Sequence, residues 1–321
     1  MRIGIIGAPC IDEIIHLDDG TEDHPVRHAL GGILYSYCAM ERMMREAGRG
    51  DRFVPLTWLS QPDLPLLDPL LSSYLHIDRE AGLWQTDART NRVSLVYDEQ
   101  GERTADCPNI LPTLTERELA PTLLGSLDAL IVNMISGHDV SIDMLESVLN
   151  QAGERRPYVH LDLHALVQAD LSNPDENGAT FGYTSKPRGV RNWKRWLALA
   201  DSIQVNEVEA RWFGDPEVRS EEELLAHVRA NREQLRLQAL IVTRAERGAT
   251  LYHTLTDKIY HEPIPAVDIV EPTGSGDVFG TAYTYAIVSG SAQDVALKQA
   301  VVWATWNATL PTMEHLLTAP R

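Results

Sequence analysis

The chain has 321 residues, 44% hydrophobic and 23% charged, which suits one large core and excludes wholesale disorder. A formal net charge of −18 makes nucleic acid and anionic membrane surfaces poor partners. No uncharged apolar run reaches the about 18 residues of a membrane span, the opening MRIGIIGAP lacks signal-peptide regions, and three scattered cysteines form neither a metal spacing nor a disulfide framework, so a cytoplasmic protein is expected.

Taken in chain order, residues 3–6 read as a buried strand ending at Gly7, and 34–45 as a helix behind the pair Gly31-Gly32. Residues 53–59 read as a strand, and 129–132, 159–163, 203–205 and 240–242 are short apolar runs, most followed by a helical segment. Buried parallel strands alternating with helices predict an α/β fold with helices on both faces of one sheet. Two stretches break the rhythm. Residues 83–104 alternate polar and apolar and turn near Gly101, which predicts a half-exposed hairpin serving as a small lid. Residues 168–189, rich in Asp, Asn, Gly and Pro, read as a long functional or mobile loop.

The strongest chemical signal is Glu271-Pro272-Thr273-Gly274-Ser275-Gly276-Asp277, followed by a helical segment over 278–288. Two glycines let the backbone approach a ligand, and a helix start presents unpaired N–H groups that suit a phosphate. Asp277 is then a carboxylate beside that phosphate, able to take a proton from an attacking hydroxyl. The plainer reading is a glycine turn with an ordinary helix-start Asp. Asn206 and Glu209, one turn apart after a strand, share a helix face; a helix cap with a solvated Glu is the commoner origin of that tetrapeptide. Residues 242–249 read as strand-turn-strand, equally consistent with a plain hairpin. Asp12 reads as an Asp at a strand end, either a turn residue or a hydrogen-bond acceptor for vicinal hydroxyls. Asp162-Leu163-His164 ends a strand and reads more readily as a satisfied structural His than as a substrate contact. Trp193, Trp196 and Trp212 read as packing groups. No phosphate loop of the G-x-x-x-x-G-K-[ST] type, dinucleotide glycine spacing or H-E-x-x-H is present.

Thr273-Gly274-Ser275-Gly276-Asp277-Val278-Phe279 resembles the C-terminal signature of the ribokinase/PfkB carbohydrate kinases. The resemblance implies a ribokinase-like doubly wound central sheet with a small β lid, one kinase domain spanning 1–321, and a lid of N-terminal segments including about 83–104. It implies ATP and magnesium as cofactors, with Asp277 as catalytic base and Gly274, Ser275 and Gly276 as the anion hole. By position it gives Asn206, Glu209, Thr243, Arg247, Gly248 and Thr273 to the nucleotide, with Asn206 and Glu209 also acting on magnesium through water. It gives Asp12, Gly31, Gly32 and Ser36 to the acceptor. Glu271 stands where the family often has an Asp at a monovalent-cation loop, which leaves potassium activation open. Two positions depart from the pattern: Ala245 replaces a usual glycine, and Ser36 replaces a usual Asn. The activity implied is γ-phosphoryl transfer to a hydroxyl of a small molecule, first a sugar. A nucleoside acceptor, and a catalytically idle binding or regulatory protein, stay open, as does a homodimer through the lid.

Overall fold

A computed structural model describes residues 1–16, 26–97, 103–107, 109–168, 174–175, 178–179, 181–183 and 189–321. In chain order the strands are β1 (Arg2–Ile6), β2 (Pro9–His16), β3 (Arg27–Gly32), β4 (Arg52–Ser60), β5 (Leu83–Thr86), β6 (Asn91–Tyr97), β7 (Arg103–Cys107), β8 (Ala129–Asn133), β9 (Tyr158–Asp162), β10 (Pro174–Asp175), β11 (Gly178–Ala179), β12 (Phe181–Tyr183), β13 (Ser202–Asn206), β14 (Ala239–Thr243), β15 (Ala249–His253) and β16 (Lys258–Glu262). Nine of them form one sheet in the order β16-β15-β14-β13-β9-β8-β1-β4-β5. Neighbours from β14 to β5 run parallel, and β15 and β16 fold back antiparallel.

The central strands are apolar on both faces because both faces are covered. Successive side chains go to opposite sides. Ile131 joins a core with Met40, Tyr283 and Leu297 from the helices Leu34–Ala47, Ser275–Val288 and Gln293–Ala308. Its neighbours Leu130 and Val132 join a second core with Leu145, Trp196 and Leu224 from Ile142–Ala152, Trp193–Leu199 and Glu221–Ala230. The architecture is the expected α/β fold around a large, mainly parallel sheet. Among the described residues no helix is long and apolar enough to cross a membrane. Trp193 and Trp196 are buried packing groups, whereas Trp212 is 37% exposed.

Five strands make a second sheet in the order β12-β7-β6-β2-β3. Here the expected 83–104 hairpin divides. Residues 83–86 are not part of the small sheet: β5 pairs parallel with β4, Thr57 opposite Leu83, and forms the edge of the large sheet. Trp84 packs on Trp58 there, ring centroids 6.2 Å apart. The same alternating pattern occurs in two strands separated by a break, and Asp63 makes that break. Its carboxylate accepts from the Thr90 N–H at 2.9 Å and pairs with Arg89 at 3.1 Å, fixing the crossing from one sheet to the other. Only β6 and β7 form the hairpin, antiparallel with Ser94 opposite Asp106, and its turn at 98–102 lies outside the described residues. The long loop read over 168–189 also lies largely outside them; within it, β12 adds to the small sheet against β7.

Candidate active site

A cleft of about 680 Å³ runs between the small sheet and the carboxyl ends of the large one. One wall is the segment before the helix Ser275–Val288. Gly274 has φ 75°, and a Cβ there would lie 2.2 Å from the Tyr35 ring, so the turn needs glycine on both counts. The Val278 N–H makes the first i→i−4 bond, to the Gly274 carbonyl at 2.9 Å. The N–H groups of Gly276 and Asp277 precede it and lie in the unpaired first turn, at residues that line the cleft. The turn is braced from both sides. Asn307 donates to the Thr273 carbonyl at 3.0 Å and to Ser275 Oγ at 3.1 Å, and Glu271 accepts from the Thr273 N–H and hydroxyl at 3.1 and 2.6 Å.

Asp277 is half-buried at the cleft. Loss of solvent pushes its carboxyl up to about 6, with Asp162 acting in the same direction and His164 and the Asn133 hydrogen bond opposing. Asn133, the last residue of β8, donates to Asp277 Oδ1 at 2.6 Å and so holds the carboxylate in one orientation. A carboxyl with this elevated pKa accepts a proton more readily than a solvated one and is still ionised at neutral pH.

Asp162 and His164 close the floor at the end of β9. Asp162 Oδ1 lies 3.0 Å from His164 Nδ1 and also accepts the His164 backbone N–H at 3.2 Å. Burial disfavours the imidazolium, but the adjacent Asp162 charge and hydrogen bond outweigh it and lift His164 to about 9. Gln204 bridges this pair to the anion turn, donating to Asp162 Oδ2 at 3.0 Å and to the Gly276 carbonyl at 3.1 Å. Asn133 and Gln204 were not singled out in the sequence. The available signal was the polar residue ending or punctuating each apolar strand run, where α/β sheets bind ligands.

Asn206 and Glu209 lie farther along the same end of the sheet. They form a reciprocal cap: Asn206 Oδ1 accepts the Glu209 N–H at 2.8 Å, and Glu209 Oε2 accepts the Asn206 N–H at 2.8 Å. The plainer reading of a cap with a solvated Glu holds for the cap but not for the solvation: Glu209 is only 3% exposed, and it lines the cleft. Among the described residues no group of three or more His, Cys, Asp or Glu is arranged to hold a metal. A Glu facing a cleft still suits magnesium, which keeps much of its water and takes few protein carboxylates alongside substrate phosphates.

Of the residues singled out in the sequence, the cleft brings together Asp12 and Gly32, Asn206 and Glu209, Thr243 and Gly248, and the run from Thr273 to Asp277. Gly31, Ser36 and Arg247 are not among its lining residues. Gly31 packs on Asp12, whose Oδ2 would be 2.0 Å from a Cβ there. Ser36 is fully buried in the helix Leu34–Ala47 and donates to the Asp277 carbonyl at 3.4 Å. Arg247 is at the exposed rim, paired with Glu207. Asp12 is not at a strand end, as read from sequence, but mid-strand in β2 between Ala29 and Val93. Period-two geometry puts it on the cleft face with Cys10. Ala245 takes φ 46° at the start of the short turn after β14, the left-handed conformation that a glycine would adopt freely.

Residues 177–314 match the family model of the pfkB family carbohydrate kinases. The chain resembles the ribokinase/PfkB kinases. No curated protein matches it. Among solved structures it is similar to ribokinase from Thermotoga maritima, at 18% identity and TM-score 0.66 over 98% of this chain and 95% of that one. It is similar to a Burkholderia thailandensis nucleoside kinase solved with inosine, at 20% and 0.67 over 99% and 94%. It is also similar to a pyrophosphate-dependent kinase in the ribokinase family, at 14% and 0.71 over 97% and 96%. At these identities the likeness establishes the ribokinase fold.

Proposed function

We propose that this chain is an ATP-dependent kinase that moves the γ-phosphoryl group to a hydroxyl of a small molecule, a sugar first. The observation that carries the reading is Asp277: a carboxylate held by Asn133, at the start of a helix whose unpaired amides face the same cleft. Acceptor hydroxyls hydrogen-bond to Asp12, and one hydroxyl is brought to Asp277. Asp277 accepts its proton as the oxygen bonds to phosphorus and the bond to the leaving oxygen of ADP breaks. The N–H groups of Gly276 and Asp277 stabilise the charge on the moving group, so that catalysis is mainly positioning and electrostatics. Magnesium, held through water by Glu209 and Asn206, would neutralise charge on the phosphates. Glu271 organises the turn through Thr273, and potassium activation belongs to the same reading. The small sheet acts as the lid of a single kinase domain.

A nucleoside triphosphate is favoured over pyrophosphate as donor because the far end of the cleft is apolar, lined by Ile264, Val301 and Ala304, which suits a base. A nucleoside is the second acceptor reading. Cys10, Val93, Cys107 and Ile135 give the acceptor end an apolar wall beside Asp12. The test is ADP release with ATP and magnesium across a panel of sugars and nucleosides, with and without potassium, and phosphate release with pyrophosphate in parallel. Acceptor-dependent ADP release is expected. Nucleotide binding with no turnover on any acceptor would favour the idle-binder alternative.

A further inference from the structure

The donor is strongly anionic, while four carboxylates, Asp12, Asp162, Glu209 and Asp277, line the cleft. Among the described lining residues His164 carries the only basic side chain. It follows β9, and β9 lies between β8, whose Asn133 holds Asp277, and β13, which ends at Asn206. His164 is therefore seated between the proposed base and the proposed magnesium side. The charged groups that bear on it are Asp162 from its own strand end, Glu209 from the helix Glu207–Trp212 and Asp277 from the helix Ser275–Val288. Asp162 takes Nδ1. Among the described residues Nε2 has no hydrogen-bond partner, and the side chain keeps 23% of its surface exposed.

We propose that His164 binds the phosphate oxygens of the donor, as the cation facing the helix-start amides across the transferred group. Asp162 orients the ring, and Gln204 ties that pair to the Gly276 carbonyl, so the cation and the anion turn are held in one hydrogen-bonded frame. An imidazolium offset by one carboxylate gives a directional N–H donor to phosphate without the reach or mobility of a lysine. The assignment rests on the kinase reading for what the cleft holds.

The test has a kinetic arm and a binding arm. His164→Gln keeps an N–H donor for Asp162 and removes the charge. The KM for ATP should rise about ten- to a hundredfold, the value of a hydrogen bond to a charged group, while the KM for acceptor stays unchanged. His164→Lys should recover part of the loss. In the binding arm, wild-type protein labelled with 15N-histidine and 15N-glycine is titrated with ATP and with tripolyphosphate alone. The His164 Nε2 signal, assigned by its disappearance in either variant, should move with both. If the Gly276 amide moves and His164 does not, His164 is only a structural partner of Asp162 and this assignment is overturned. If neither moves, the nucleotide reading falls and this assignment with it.

Discussion

The two ends of the cleft are built differently. At the anion turn, the base, the helix start and two of the turn's braces fall within residues 271–278 and act on one another locally, as in Glu271 with Thr273 and Val278 with Gly274. At the proposed acceptor end, Asp12, Gly32, Asn91, Val93 and Cys107 come from four strands that meet only because β2 pairs with both β3 and β6 and β6 with β7. A locally built site is specified by its own short sequence. A distributed site is specified by strand register, and a slip of one residue would turn Asp12 away from the cleft. The anion turn should therefore answer to point substitution with a loss of chemistry, and the acceptor end with a loss of binding.

The largest effect is expected at the local end. Asp277→Asn preserves shape and leaves the helix start intact, so ATP affinity measured by calorimetry should stay at its wild-type value. Turnover should fall about 10²- to 10⁴-fold, the usual contribution of a general base. Wild-type turnover in this variant would remove the base from the mechanism.

The second effect belongs to the distributed end. Asp12→Ala should weaken acceptor binding about ten- to a hundredfold and leave ATP affinity in the absence of acceptor unchanged. An equal loss of both would mean that the two ends are not separate sites.

A pH profile examines the local end without a substitution. Asp277 must be ionised to accept a proton, and burial raises its pKa to about 6. As pH falls through that value the carboxylate gains its proton, so kcat/KM should drop toward about tenfold for each further pH unit. The rate is retained above it, and the acid limb should vanish with Asp277→Asn. A flat profile down to pH 4 would show that no such carboxyl controls the rate.

The same contrast explains what was legible in the sequence. The apolar runs at 129–132 and 240–242 became central strands because continuous hydrophobicity needs both faces covered, and Gly-Ser-Gly-Asp carried its geometry with it. Residues 83–86 were misplaced because alternation reports half-burial but not which sheet supplies the buried face; Asp63, twenty residues earlier in the chain, decides that. His164 was discounted because a lone His at a strand end carries no sign of its neighbours. Its position between Asn133 and Asn206 follows from the order β13-β9-β8, which no local window contains.

The smallest effect tests whether a departure from the family pattern matters. Two positions in the turn after β14 have positive φ: Gly248 at 86° and Ala245 at 46°. They are not equivalent. A Cβ at Gly248 would lie 2.0 Å from the Glu262 carbonyl oxygen in β16, so only glycine fits. Ala245 already has a Cβ in the left-handed conformation, at a cost of about 1–2 kcal/mol that glycine would not bear. Glycine in turn loses more chain entropy on folding, about 0.5–1 kcal/mol. The difference predicts that Ala245→Gly stabilises the protein by up to about 1 kcal/mol, read as a higher urea midpoint at unchanged slope. Because Ala245 lines the cleft at the proposed donor end, the KM for ATP should hold or fall with it. A lower midpoint would show that the chain has absorbed the substitution elsewhere in the turn, and a raised KM for ATP would show that the alanine methyl itself packs on the donor.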